Sequence, residues 1–315
     1  MKAVQITGLE EMAVVELEKP EIKSNEVLLK MNYVGFCGSD LSTFLGKNPM
    51  VKMPVVPGHE VSAVIEAVGD EVPDVLKPGM LVTVDPYSNC GKCASCRRER
   101  ANACEHNETL GVQRWGAMRE YYAMPWQKII PAEGLTEKEI ALIEPMSVGF
   151  HAVNRAEVTD IDVVMVIGCG MIGIGAIVRA SLRGATVIAT DLDDDKLELA
   201  KRMGATYVVN TAKEDLHARL DEITGGLGPD VVIEAVGSPF TQNQAINEVA
   251  FTGRVVFIGY AKPADFRAVI HYMQHHPDYP KEELISAVAT PDTAFDAMKQ
   301  WAAAPAKVFR ILVGF

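Results

Sequence analysis

The sequence predicts an α/β chain in two parts, one β-rich and one built on a doubly wound parallel sheet. Two observations carry this. Through the first 145 residues, β-branched runs at 27–34, 61–68 and 81–84 are closed by Gly, Pro or Asp, and the turn Lys77-Pro78-Gly79 separates two of them. From Val163 onward, short apolar strands alternate with helical stretches. That alternation implies parallel strands joined by crossover helices.

Each element of the second part has its own signal. Strands are expected at 163–167, 186–190, 231–235 and 255–258, and helices at 171–183, 195–203, 214–223 and 241–249. The last fifty residues are mixed, with helices near 265–275 and 292–302 and a strand at 308–313. The expected partition is a β-rich catalytic domain over 1–148, a nucleotide-binding domain over 149–263, and a return of 264–315 to the first domain. No repeat and no low-complexity linker interrupts this order.

Bulk properties bound the function. The chain has 315 residues, of which 48% are hydrophobic and 23% charged, enough apolar material for two domains. Its formal charge is −12, which disfavours nucleic acid and anionic membranes, since both require a basic face. A small-molecule substrate stays open. The N-terminus has no apolar stretch behind a basic start, so it does not read as a secretory signal. The longest uncharged run, 163–178, spans 16 residues and holds four glycines; a membrane helix needs about 20 apolar residues. A cytoplasmic location is the default expectation.

The segment VVMVIGCGMIG is a buried-strand pattern running into G-x-G-x-x-G at Gly168, Gly170 and Gly173. The first glycine permits a tight turn, the second lets a pyrophosphate approach the backbone, and the third lets helix and strand pack closely. Met171 and Ile172 open a helix whose free N–H groups face the phosphates. The next strand ends in Asp191, 18 residues after Gly173, placed to bond ribose hydroxyls. Asp191, Asp193, Asp194 and Asp195 together would repel a 2′-phosphate, so NAD is expected rather than NADP. Lys196 reads either as a ribose contact or as a helix-surface lysine. The later strand ends add Ala235, Gly237 and Ile258 to the expected cofactor contacts.

Six cysteines occur, and four of them, Cys90, Cys93, Cys96 and Cys104, fall within 15 residues. Four thiolates close a tetrahedral shell with no open position, which predicts a structural zinc over 86–106. Two disulfides or an iron–sulfur cluster are the alternatives. Arg97, Arg98 and Arg100 could offset the site's charge. Cys37, the adjacent pair His59 and Glu60, and Glu144 lie far apart in sequence, and taken singly each is as readily a packed or surface residue.

The ordered set GFCGSD, PGHE, the four-cysteine lobe, IEPMSVGFHA and VIGCGMIGIGA resembles the medium-chain, zinc-containing alcohol dehydrogenase superfamily, close to its sorbitol, threonine and sugar-acid branch. The resemblance implies a GroES-like β domain interrupted by a Rossmann domain, with zinc, nicotinamide and substrate held in the cleft between the two domains. It implies that Cys37 and His59 bind a catalytic zinc, with Glu60 or Glu144 as third protein ligand. It further implies that Ser39 hydrogen-bonds the substrate hydroxyl and carries its proton outward, and that Asp40 orients His59. The implied reaction is hydride transfer between a secondary alcohol of a polyol, sugar acid or hydroxy amino acid and NAD, with two zinc ions per chain. A ketone or aldehyde reductase, or a catalytically inactive protein that binds NAD and zinc, are the alternatives.

Two departures from the pattern stand out. Ser42 occupies a position where relatives often carry a histidine that ends the proton relay. After Lys262 the chain passes straight to a helical segment, where relatives carry a substrate-facing loop and an edge strand used in subunit pairing. A homo-oligomer, dimer or tetramer, is implied, but its usual route through that edge is in doubt. Cys169, His106 and His275-His276 read as packing or surface residues, and Trp115 and Phe44 read equally as cleft lining or as core.

Overall fold

A computed structural model describes all residues, Met1–Phe315. The chain forms two compact units: Met1–Glu144 with Lys262–His276 and Ile285–Phe315, and Pro145–Ala261 with Pro277–Leu284. No helix is long and apolar enough to cross a membrane.

The first unit is built on a seven-stranded sheet. The long strand Glu26–Phe36 lies near its middle, between Ile311–Gly314 on one side and Glu60–Val68 on the other. Ala287–Ala289 extends one end of the sheet, Leu81–Val84 and Ile129–Pro131 extend the other, and Tyr121–Pro125 also pairs with the long strand. A hairpin, Lys2–Gly8 with Glu11–Glu16, stands beside it. Val27, Leu29, Met31, Val34 and Phe36 are all buried, and they pack with Ile6, Val61, Ile65 and Val82 into one core. Such burial stabilises by about 25 cal/mol per Å² of apolar surface removed from water.

Register fixes what the end of this sheet presents. Gly35 pairs with Glu60, and Phe36 pairs with Ile311. The residue after Phe36, the first residue of the neighbouring strand and the residue before Ile311 therefore meet at one edge. These are Cys37, Glu60 and Arg310.

The second unit holds five parallel strands in the order Tyr207–Asn210, Thr186–Asp191, Val163–Ile167, Val231–Glu234, Arg254–Phe257. The chain winds outward from Val163–Ile167 in one direction, then returns and winds outward in the other. Ligands of such sheets bind where the order reverses, outside the carboxyl ends of the strands. Here that point lies between Val163–Ile167 and Val231–Glu234. Strand and helix positions follow the periodicity within about two residues. The strand Tyr207–Asn210 is the exception: four residues with an exposed tyrosine at their head give too short a pattern to read. Arg254–Phe257 is the last strand of this sheet, and residues 258–262 lead directly into the helix Pro263–His275.

Candidate active site

At the sheet edge of the first unit, one ligand atom each from Cys37, His59 and Glu60 lie within 4.8 Å of one another. Cys37 caps the short helix Gly38–Phe44, and its N–H donates to Asp40 Oδ2 at 2.8 Å. His59 follows Gly58, which has a left-handed φ of +100°. A Cβ at Gly58 would come within 2.6 Å of Val34, so the approach to His59 requires glycine. Gly35 has a different task. A Cβ there would stand 2.2 Å from Glu60 Oε2, so the missing side chain is the space the carboxylate occupies.

The electrostatics of this corner call for a cation. His59 and Glu60 are both buried, and His59 Nδ1 and Glu60 Oε2 have no hydrogen-bond partner. Ser39 Oγ and Asp40 Oδ1, on the helix that Cys37 caps, are buried in the same condition. Each unmet buried polar group costs about 1–3 kcal/mol, too much for four to be gathered merely by packing. Burial alone would lower the His59 imidazole, but the neighbouring Cys37 sulfur, with Glu144 and Asp40 nearby, raises it well above its usual range. Burial pushes the Glu60 carboxyl up to about 7, against the pull of Arg310. Burial likewise raises Asp40. Sulfur, imidazole and carboxylate converging at one point form a donor set suited to zinc with an open position.

Two residues missed in the sequence complete the corner. Arg310 is buried, donates to Phe36 O at 2.7 Å and lies 3.1 Å from Glu60 Oε1. Tyr87 is buried and donates to Glu144 Oε1 at 2.5 Å. Glu144, in the first turn of the helix Ile143–Arg155, is therefore held by a phenol, while Glu60 is the carboxylate grouped with Cys37 and His59. No local motif announces Arg310 or Tyr87; only strand register and folding bring them in.

The four sulfurs of Cys90, Cys93, Cys96 and Cys104 also lie within 4.8 Å of one another, and none is in a disulfide. Backbone N–H groups point at them: Cys93 N to Cys90 Sγ at 3.4 Å, and Cys90 N and His106 N to Cys104 Sγ, both at 3.3 Å. Such bonds favour thiolates. The backbone N–H groups of Cys96 and Glu105 lower the Cys93 thiol to about 6. Arg97, Arg98 and Arg100 are exposed around the lobe.

In the second unit, the switch point of the sheet carries a cavity of about 410 Å³. Gly168, Gly170, Asp191, Lys196 and Ala235 line it, joined by residues the sequence did not single out, among them Thr211, Ser238 and Thr241. Met171 and Gly173 are buried, and Ile172, Gly237 and Ile258 are not part of the lining. A Cβ at Gly170 would meet nothing within 4 Å, whereas one at Gly173 would sit 1.8 Å from Gly168 O. The first is open space for a ligand; the second is a packing demand. Asp191 accepts from Cys169 N and Leu192 N, both at 2.7 Å, and from Asp193 N at 3.1 Å, so it also pins the glycine turn. The buried Glu234 does the same for the turn after its strand, accepting from Val236 N, Gly237 N and Thr241 Oγ1.

Comparison with known proteins agrees with both halves of this layout. The family model described as "Alcohol dehydrogenase GroES-like domain" matches residues 23–134, and that described as "Zinc-binding dehydrogenase" matches 172–275. The L-galactonate-5-dehydrogenase of Escherichia coli (strain K12) is 36% identical over 245 residues, covering 78% of this chain and 72% of the relative. The sorbitol dehydrogenase of Bacillus subtilis (strain 168) is 36% identical over 266 residues, covering 82% and 75%. The solved structure of galactitol-1-phosphate dehydrogenase from Escherichia coli superposes with a TM-score of 0.90 at 26% identity, covering 100% of both chains. With both domain types matched in order and relatives of this identity over most of their length, the chain belongs to the zinc-binding alcohol dehydrogenase family.

Proposed function

We propose that this protein is an NAD-dependent zinc dehydrogenase that oxidises a secondary alcohol of a polyol or sugar acid. The observation that carries this is the convergence of Cys37, His59 and Glu60 within 4.8 Å, with buried unmet polar atoms on His59, Glu60, Ser39 and Asp40. The named activities of the sorbitol and L-galactonate relatives support the substrate class. When bound, zinc supplies a Lewis acid that favours loss of the alcohol proton, and NAD supplies the hydride acceptor.

The chain's own residues do the rest. Cys37, His59 and Glu60 hold the catalytic metal and leave a position for substrate. Ser39 Oγ is a buried hydroxyl without a partner and takes the proton from the substrate oxygen. Asp40 fixes Cys37 through its N–H and presents its second oxygen beside His59. Tyr87 keeps Glu144 close without letting it displace Glu60. Cys90, Cys93, Cys96 and Cys104 hold a structural zinc. Gly168, Gly170 and Asp191 take the adenosine diphosphate half of NAD, with Lys196 at the edge of that pocket. Copies of the chain associate as a homo-oligomer, dimer or tetramer, which sedimentation measures; the last strand of the parallel sheet, Arg254–Phe257, leaves Phe257 exposed.

The test is direct. Zinc-loaded protein with NAD and a panel of hexitols, pentitols and aldonates should produce NADH, followed by its absorbance. NAD binding without turnover on any alcohol, or on any ketone in reverse, would overturn the proposal.

A further inference from the structure

A second cavity, of about 320 Å³, lies in the first unit, where Val55 and Val112 line it together with Met50, Lys52, Gln113, Arg114 and Trp115. Its place is informative. Val55 begins the short stretch that reaches His59 four residues later. The opposite wall is tied to that stretch: Gly116 N donates to Val56 O at 2.6 Å and Ala117 N to Gly58 O at 2.9 Å. The Met50 wall is tied to the helix bearing Ser39, since Met50 N donates to Asn48 Oδ1 and Asn48 Nδ2 reaches Ser39 O. The cavity's walls are thus the loops that continue into the metal corner.

Its charge is the reverse of the molecule's. The chain carries −12, yet the lining has two cations and no acid. Neither Lys52 nor Arg114 takes part in an ion pair, although acids outnumber bases 42 to 30 in this chain. Arg114 is held in place: its Nη2 donates to Pro86 O at 3.3 Å and its backbone O accepts from Gly111 N. Its Nε is buried and has no hydrogen-bond partner. With Nη2 committed to Pro86 and Nε shut away from solvent, Nη1 is the part of this fixed guanidinium that can meet a carboxylate or phosphate. Trp115 adds an exposed aromatic face for the C–H side of a carbon chain.

We propose that Lys52 and Arg114, with Trp115, form a subsite for the anionic end of the substrate, so that the preferred alcohol is a sugar-chain compound bearing a phosphate or carboxylate. This rests on the dehydrogenase reading and narrows its substrate class. Neutral polyols reach the same metal corner without this anchor.

The experiment compares galactitol, galactitol 1-phosphate and galactonate, which share a carbon chain and differ at one end, on the zinc-loaded enzyme with NAD. At least one anionic compound should exceed galactitol in kcat/KM by about tenfold or more, and which one does identifies the anion. Arg114→Met should collapse that ratio toward one, Arg114→Lys should restore part of it, and Lys52→Met, at an exposed position, serves if Arg114→Met does not fold. Calorimetry with inorganic phosphate provides a readout without turnover: binding to the parent protein, weakened in both Met variants, supports the subsite. Galactitol oxidised as well as both anions, or ratios untouched by both variants, overturns the subsite and leaves the dehydrogenase. Phosphate binding that depends on Arg114 and Lys52, with no oxidation of these compounds or of any hexitol, pentitol or aldonate and no reduction of any ketone, leaves the subsite and overturns the dehydrogenase.

Discussion

Glu60 carries opposing demands: burial raises its carboxyl to about 7, while the Arg310 guanidinium 3.1 Å away favours the anion. With no metal bound, Glu60 holds a proton below about pH 7 even beside Arg310, and a metal must displace it. Zinc uptake should therefore release more protons as pH falls below about 7, an effect measurable by calorimetry in buffers of different ionisation enthalpy. Proton release below about pH 7 that is the same in Glu60→Gln as in the parent would place Glu60 outside the metal shell. Arg310→Met removes the guanidinium and leaves Glu60 neutral more of the time. Zinc affinity at this site should fall by about 10–100-fold in a chelator competition, while the four-cysteine zinc stays bound. Tyr87→Phe frees Glu144 from its 2.5 Å hydrogen bond. Substituting cobalt and reading its visible spectrum should then show a changed ligand field, and the change should vanish in Tyr87→Phe with Glu144→Gln. An unchanged spectrum would remove Tyr87 from the account.

At the scale of elements, legibility followed locality. The glycine turn was readable because strand, turn, helix and Asp191 all lie within one short stretch, and each residue type answers a local steric or charge demand. The four-cysteine lobe was readable for the same reason. The metal corner was not: Cys37, Glu60, Glu144 and Arg310 come from four separate segments; the register Gly35–Glu60 and Phe36–Ile311 unites three of them, and Glu144 joins from the helix Ile143–Arg155. Family resemblance joined the first three but said nothing of Arg310 or Tyr87. Of the two uncertain aromatics, Phe44 belongs to the core, edge-on to Phe295 at 6.2 Å, whereas Trp115 lines a cavity. The lobe has its own prediction. Cys93→Ser opens a closed shell, so one zinc should be lost and the thermal midpoint should drop by several degrees, about 2–4 °C for each kcal/mol removed. In the second unit, Asp191→Ala removes the acceptor for three backbone N–H groups and the carboxylate facing the cofactor pocket. KM for NAD should rise about tenfold, and the preference for NAD over NADP should narrow.

Across the whole molecule, two clusters could each hold a metal ion, Cys37–His59–Glu60 and the four cysteines, and a cavity lies at the switch point of the parallel sheet. Cys169, inside the glycine turn, is different: burial raises its thiol far above the usual range, and it packs as a small inert side chain. The account's central claim is that Cys37, His59 and Glu60 share one ion distinct from that of the four-cysteine lobe. Metal analysis of purified Cys37→Ala beside the parent protein tests it most directly. The parent should hold two zinc ions per chain, and the variant should hold one, stay folded, bind NAD and lose nearly all turnover. A Cys37→Ala protein that keeps two zinc ions and full activity would contradict it.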